Sequence, residues 1–117
     1  IMAFMHKEMA AGRWREYSLV EQMANIGSEV YRAINRHKKG EREHFINAFD
    51  RAIELFDLTL QDPRWNGRKK EIARSREVFC DLFFGGNRYN TDPDSLNRYF
   101  MQYAIAARVS AMKKREC

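Results

Sequence analysis

The chain has 117 residues, 44% of them hydrophobic and 32% charged, with a formal net charge of +5, and this predicts a single domain over residues 1–117 with its own core. Its two cysteines, Cys80 and Cys117, do not form the pattern of a disulfide framework, which favours a reducing compartment. No apolar run approaches the roughly 20 residues that span a bilayer, and the apolar start over residues 1–5 is too short for a signal peptide, so we expect a cytoplasmic protein without membrane association.

The first two helices are predicted from apolar residues that recur every three or four positions. After a lead-in over residues 1–17, Ser18 is a typical N-terminal cap, and Gly40 suits the C-terminal end of the first helix. The second helix begins near Glu41 and ends where Pro63 forbids its continuation. Its broad apolar face predicts a central position in the fold. The apolar positions are Leu19, Met23, Ile26, Val30 and Ile34 in the first helix, and Phe45, Phe49, Ala52, Ile53, Phe56 and Leu60 in the second.

The third and fourth helices follow from the same spacing. A short turn over residues 64–67 precedes the third helix, which carries an apolar stripe and ends at Gly85 and Gly86. The fourth helix covers residues 93–113, with Thr91 or Asp92 as its cap and Pro93 in its first turn. Short connections join antiparallel neighbours. The sequence therefore predicts an all-α, antiparallel up-down four-helix bundle over residues 18–113, with a short extra helical segment over residues 2–9.

The fourth helix is apolar on two opposite faces, whereas a surface helix needs only one apolar stripe. In so small a chain, the second stripe must lie at the centre of the fold or against another copy or partner. We therefore predict a homo-oligomer; the alternative is a monomer in which residues 2–9 cover the outer stripe. The inner stripe is Leu96, Phe100, Tyr103 and Ala107, and the outer stripe, the predicted oligomer interface, is Met101, Ile105, Val109 and Met112.

A structural polar network is predicted around Arg76, which falls on the inner side of the third helix. A buried guanidinium needs a carboxylate partner, because burying an unpaired charge is costly. The candidates are Glu29 on the first helix and Asp57 or Asp50 on the second. We interpret this set as an ion pair that fixes helix register; the alternative is a polar site inside the bundle, which would make the protein a small enzyme.

No residue pattern predicts catalysis, a metal site or a cofactor. Glu41 and His44 have the spacing of half a di-iron carboxylate site, but such sites need a second pair and further inward-facing glutamates. Cys80 lies beside Phe79 and Phe83 and is interpreted as a small buried hydrophobe. We therefore predict that the protein is not an enzyme and binds no cofactor or metal.

Two clusters of basic residues are candidates for binding nucleic acid. Arginine outnumbers lysine fourteen to seven, which favours bidentate contacts with carboxylates or phosphates. A belt of positive charge around an oligomer can follow a phosphate backbone, and Trp65 and Tyr89 can stack on bases or anchor helix packing. The alternative is a solvated face whose charge is offset by nearby acids. The first cluster is Arg32, Arg36, Lys38 and Lys39, and the second is Arg64, Arg68, Lys69, Lys70 and Arg74.

A resemblance rests on residues 25–108, with the motifs Asn25-Ile-Gly-Ser-Glu-Val30, Asp62-Pro-Arg-Trp65, Arg76-Glu-Val-Phe-Cys-Asp81 and Tyr99-Phe100. In these motifs the chain resembles a group of short bacterial four-helix-bundle proteins that has no assigned activity. In length, basic charge and helical plan it is remotely similar to accessory variability determinant proteins of diversity-generating retroelements and to ribosomal intervening-sequence proteins. That similarity implies ring-like homo-oligomers whose basic surfaces engage nucleic acid or a reverse transcriptase, and it transfers no functional residue.

The function predicted from the sequence is that of a non-catalytic, homo-oligomeric accessory protein that binds RNA or DNA through its basic clusters. The alternative is a protein-protein interaction or scaffold module that has a protein partner and binds no nucleic acid.

Overall fold

The fold of residues 12–116, the part described by a computed structural model, is entirely helical. Its four α-helices are α1 (Leu19–Lys38), α2 (Arg42–Leu60), α3 (Lys69–Phe84) and α4 (Pro93–Glu116). Two short 3-10 helices, Arg13–Glu16 and Pro63–Arg68, precede α1 and α3. The predicted all-α, four-helix fold is confirmed, and the helical segment predicted over residues 2–9 lies outside the described residues. Within residues 12–116, no helix is long and apolar enough to cross a membrane.

The boundaries of α1 follow from local hydrogen bonds. The backbone N–H of Glu21 donates to the Ser18 hydroxyl over 3.2 Å, and the backbone N–H of Ser18 donates to the Glu21 carboxylate over 2.9 Å. This reciprocal capping box satisfies two N–H groups that a helix start leaves without partners. The bond from the Ser18 backbone holds the pKa of Glu21 below its usual value. At the other end, Gly40 has a positive φ of 71°, a conformation that favours glycine.

The helix α1 packs against α2 and α4, and α2 packs against α1 and α3. Both helices therefore have two helix neighbours, and the second helix lies inside the fold together with the first. The core also includes Trp14, only 2% exposed, which comes from the segment predicted as a lead-in. The other core residues are Met23, Ile26, Val30, Ala33, Ile34, Phe45, Ala48, Ala52, Leu55, Phe56, Ile72, Phe79, Leu96, Phe100 and Tyr103.

Contacts between helix ends show which termini lie close together. The Lys38 ammonium at the end of α1 is 3.1 Å from the Asp94 carboxylate at the start of α4. The ring centroid of Phe83, near the end of α3, lies 4.8 Å from that of Phe45 at the start of α2 and 4.8 Å from that of His37 in α1. These contacts join the last turn of α1 to the first turn of α4, and the end of α3 to the start of α2.

The connection between α3 and α4 is organised by two side chains. The Asp81 carboxylate accepts a hydrogen bond from the backbone N–H of Tyr89 over 3.0 Å, and the Asp81 carbonyl accepts one from the N–H of Asn87 over 2.9 Å. The Asn87 side chain in turn accepts a hydrogen bond from the N–H of Thr91 over 2.9 Å. Asn87 has a φ of 54°, which asparagine tolerates better than most residues. This loop brings the chain to Pro93 and so sets where α4 begins.

Candidate functional site

The outer stripe of α4 is exposed in the isolated chain. Met101, Ile105, Val109 and Met112 are 54%, 58%, 43% and 52% exposed. On the opposite side of the helix, the inner stripe is buried at Leu96, Phe100 and Tyr103 and half-buried at Ala107. The prediction that the inner stripe packs into the core is therefore confirmed at its first three positions. Contiguous apolar surface of this kind marks interaction sites on small proteins.

A groove between α1 and α4 adjoins the outer stripe. It has a volume of about 600 Å³, and its walls include Tyr31, Asn35 and Arg32 from α1 with Asn97, Arg98 and Met101 from α4. The ring of Tyr31 is 59% exposed, as much as the residues of the outer stripe. Met101 belongs to both features, so the exposed apolar surface of α4 continues across the groove onto α1.

The first basic cluster, at the end of α1, is largely paired with carboxylates. Arg32 lies 2.7 Å from Glu29, Arg36 lies 2.6 Å from Glu41, and Lys38 pairs with Asp94. The hydrogen bond from Arg36 holds the pKa of Glu41 below its usual value. Within residues 12–116, no carboxylate lies in ion-pair distance of Lys39, which is exposed. The Lys38–Asp94 pair is exposed on both sides, whereas the Glu29 carboxylate is only 12% exposed and the contact of Arg36 with Glu41 is partly buried.

In the second basic cluster, the arginines contact other side chains, whereas the two lysines form no ion pair with any described residue. Arg68 lies 2.8 Å from Glu71, and the guanidinium of Arg74 lies over the ring of Tyr89 at 4.6 Å from its centroid. Lys70 is exposed and Lys69 half-buried, and neither has an ion pair in the described chain. Five of the nine candidate residues are therefore in ion pairs, namely Arg32, Arg36, Lys38, Arg64 and Arg68.

The remaining member of the second cluster, Arg64, belongs to a buried network that the sequence did not predict. Its guanidinium is 2.6 Å from the carboxylate of Asp62, which is only 2% exposed, and it donates to the Tyr17 carbonyl over 3.0 Å. The hydrogen bonds from Arg64 lower the pKa of Asp62 to about 2. A guanidinium held in this way fastens the N-terminal segment to the bundle and is not a free phosphate ligand.

Two tryptophans extend this network into the core. The indole N–H of Trp14 donates to the Thr59 hydroxyl over 3.0 Å, and the indole N–H of Trp65 donates to the Gln22 side-chain oxygen over 3.0 Å. The Gln22 amide nitrogen donates to the Trp14 carbonyl over 2.9 Å. Buried polar groups need such partners. Trp65, predicted to stack on bases or to anchor packing, therefore acts as a packing anchor.

The three residues of the predicted polar network do not come together. Arg76 and Asp57 form the expected pair, with 3.0 Å between guanidinium and carboxylate, but their side chains are 33% and 44% exposed. Glu29 instead pairs with Arg32 on α1. The contact between Arg76 and Asp57 thus joins α3 to α2 near the surface, and Glu29 contributes to a different ion pair.

The surroundings of Cys80 and Glu41 disfavour the chemistry that their residue types allow. Burial raises the pKa of the half-buried Cys80 thiol, which disfavours the nucleophilic thiolate. The carboxylate of Glu41, one of the two residues with metal-site spacing, is held by Arg36. Among residues 12–116, no group of three or more acidic, histidine or cysteine side chains is placed to hold a metal ion.

No family model, curated protein or solved structure matches this chain. The resemblance to accessory variability determinant and ribosomal intervening-sequence proteins therefore stays a prediction.

Proposed function

We propose that this protein is a non-catalytic module that assembles with copies of itself through the outer stripe of α4. The observation that carries this proposal is the exposure of four consecutive stripe positions, Met101, Ile105, Val109 and Met112, each 43% or more. Full burial of one such side chain contributes about 1.5–3 kcal/mol, so completing the burial of four half-exposed ones contributes several kcal/mol to association.

The test of self-assembly is the particle mass in solution. We expect light scattering coupled to size-exclusion chromatography to give a multiple of the 13.9 kDa chain mass at micromolar concentration. The mass should fall towards that of one chain on dilution if the interface is small. A mass of one chain that does not change up to millimolar concentration would overturn the proposal.

We also propose the antiparallel up-down course for the four helices. It is supported by the contact of Lys38 with Asp94 and by that of Phe45 with Phe83, which pair the end of one helix with the start of another. Helices joined by connections as short as residues 39–41 generally run antiparallel.

A second candidate function is binding of RNA or DNA to the basic clusters of the assembled protein. It is supported by the net charge of +5 and by Lys39, Lys69 and Lys70, which have no carboxylate in ion-pair distance among the described residues. The ion pairs of Lys38 and Arg68 are exposed on both sides, so these two residues can exchange a carboxylate for a phosphate. In the competing model, a protein-protein interaction module, the same arginines serve only ion pairs within and between subunits.

Fluorescence anisotropy with labelled RNA and DNA of mixed sequence distinguishes the two models. Binding that weakens steeply between about 50 and 200 mM salt supports nucleic-acid binding, because phosphate contacts release counterions. Absence of binding at about 50 mM salt, or binding that is indifferent to salt, would leave the interaction module as the function.

A further inference from the structure

The groove between α1 and α4 combines an exposed aromatic ring with a buried acceptor that lacks a partner. Tyr31 is 59% exposed. On the facing wall, the side-chain oxygen of Asn97 is buried and accepts no hydrogen bond from any described residue. Buried acceptors in folded proteins nearly always have a donor. The exposed ring of Tyr31 offers a planar ligand a face on which to stack.

The charged residues that line the groove are all arginines. Arg32 and Arg36 come from α1 and Arg98 from α4, and no carboxylate is among the lining residues. Arg98 donates a hydrogen bond to the Ser95 hydroxyl over 2.9 Å and has no ion pair within residues 12–116. Arg32 and Arg36 each direct one terminal nitrogen at a carboxylate, and a guanidinium has five N–H donors. The groove can therefore offer further donors to an anion.

We propose that this groove binds single-stranded nucleic acid, with an unpaired base against Tyr31 and the backbone phosphates against Arg32 and Arg98. Base stacking on an exposed aromatic ring and arginine contacts with phosphate are the usual means of holding a single strand. A base in a duplex has no free face for Tyr31. The inference rests on the proposed nucleic-acid binding and names the strand type and the site.

A second copy of the chain fits this groove less well than a polyanion does. In an isologous contact, the arginines of one groove would face the same arginines of the other, and such like-charge contacts are unfavourable. The four side chains of the outer stripe are themselves apolar, so assembly through α4 and strand binding in the groove use neighbouring surfaces.

The experiment compares labelled single strands of about 20 nucleotides with the same sequences as duplexes, at about 50 mM salt. We expect tighter binding of the single strand. Tyr31→Ala should weaken it by roughly 5- to 150-fold, the range for loss of one stacked base, whereas Tyr31→Phe keeps the ring and should bind like the wild type. Arg98→Ala should weaken binding and reduce its salt dependence by about one phosphate contact. Arg88 is an exposed loop arginine outside the groove. Arg88→Ala is therefore the matched control and should change neither the affinity for the strand nor its salt dependence.

Four results would overturn the inference. If the wild type binds nucleic acid but Tyr31→Ala and Arg98→Ala match Arg88→Ala, binding occurs elsewhere, and only the groove assignment fails. If neither strand type binds, nucleic-acid binding fails as a whole. If Tyr31→Ala instead changes the particle mass while strand binding persists, the groove is an interface between copies. Displacement of the strand by micromolar adenosine monophosphate would identify a mononucleotide pocket and would likewise contradict a strand site.

Discussion

Gly27 of α1 lies directly against Phe100 of α4, so that a methyl group added to the glycine would meet the Phe100 Cβ atom at 2.8 Å. Contacts this short do not occur between real side chains, so α1 and α4 approach as closely as they do because residue 27 has no side chain. The ring of Phe100 is only 2% exposed. The close approach of α1 and α4 therefore keeps solvent out of the core between them, next to the groove.

Gly27→Ala is expected to destabilise the protein. Overpacking a well-packed contact costs about 1–3 kcal/mol, and the better helix propensity of alanine offsets up to about 1 kcal/mol of that. We expect a lower free energy of unfolding in a urea titration. Gly67→Ala is the control, because a methyl group there meets nothing within 4 Å, and it should leave stability unchanged or slightly higher. Equal stabilities of the two variants would contradict the close approach.

The pair formed by Asp62 and Arg64 should make stability depend on acid pH. The pKa of Asp62 is lowered from 3.8 to about 2 in the folded chain, chiefly by the hydrogen bonds from Arg64. The stabilisation is therefore fully present above pH 4 and is lost as the pH falls towards 2. It amounts to at most about 2 kcal/mol, since the partly exposed guanidinium is screened by water. In Asp62→Asn we expect a stability deficit at pH 7 that shrinks as the pH falls through this range, measured by urea unfolding.

The outer stripe of α4 should control particle size without controlling folding. Ile105→Glu combined with Val109→Glu is expected to give smaller particles with unchanged helicity by circular dichroism, because the inner stripe still holds α4 against the core. Ala106→Glu with Ser110→Glu adds the same two charges at exposed positions outside the stripe and should leave the mass unaltered. Unfolding of the first variant, together with a wild-type mass of one chain, would show that the stripe is covered within the monomer.

A hydrogen bond from Tyr103 links α4 to the first turn of α3. Its hydroxyl donates to the Glu71 carboxylate over 2.8 Å and lies 3.1 Å from the Tyr99 hydroxyl. Tyr103→Phe should lower the free energy of unfolding by about 1–2 kcal/mol, since the lost hydrogen bond is made to a charged group. The control is Tyr89→Phe, which removes an exposed hydrogen bond of 2.8 Å to Glu77. Because water can replace that bond, this variant should leave the free energy of unfolding nearly unchanged.

The same tyrosine predicts sensitivity to alkali. Burial, followed by the contacts with Tyr99 and Glu71, raises the pKa of Tyr103 above the ordinary tyrosine value. The folded state thus favours the neutral phenol. The contribution of Tyr103 to the free energy of unfolding is therefore fully present below a pH of about 10 and declines above it. We expect Tyr103→Phe to lose less stability between pH 9 and 11 than the wild type does, as measured by thermal unfolding at each pH.

Local signals in the sequence were sufficient to place the helices. Ser18 with Glu21 forms the cap predicted for the first helix, α2 ends just before Pro63, and α4 begins at Pro93 as expected. Its inner stripe was predicted from a three-four spacing, because burial of a helix face repeats with the helical turn. Each of these features depends on residues only a few positions apart.

Features that depend on distant residues were not predictable in this way. Gln22 and Asp62 are 40 positions apart, and Trp14 and Thr59 are 45 positions apart, yet both pairs share hydrogen bonds in the buried network. A glutamine beside an apolar stripe usually lies at the solvent-exposed edge of that stripe, so the sequence pattern gave no reason to expect that Gln22 is buried. Which carboxylate pairs with Arg76 was likewise open among Glu29, Asp50 and Asp57, since helix periodicity fixes a face but not its partner.

Beyond Tyr103, the side chains of α4 at positions 104–115 are exposed except for half-buried Ala107. Opening these last turns breaks few apolar contacts within the chain, so their amide hydrogens should exchange with solvent by local fraying, well before those of α1. A second copy seated on Ile105 and Val109 would have to leave before fraying could occur. Amide exchange at the end of α4 would then slow as the protein concentration rises, while exchange in α1 would not. The last turns of α4 would therefore report assembly at the level of single residues.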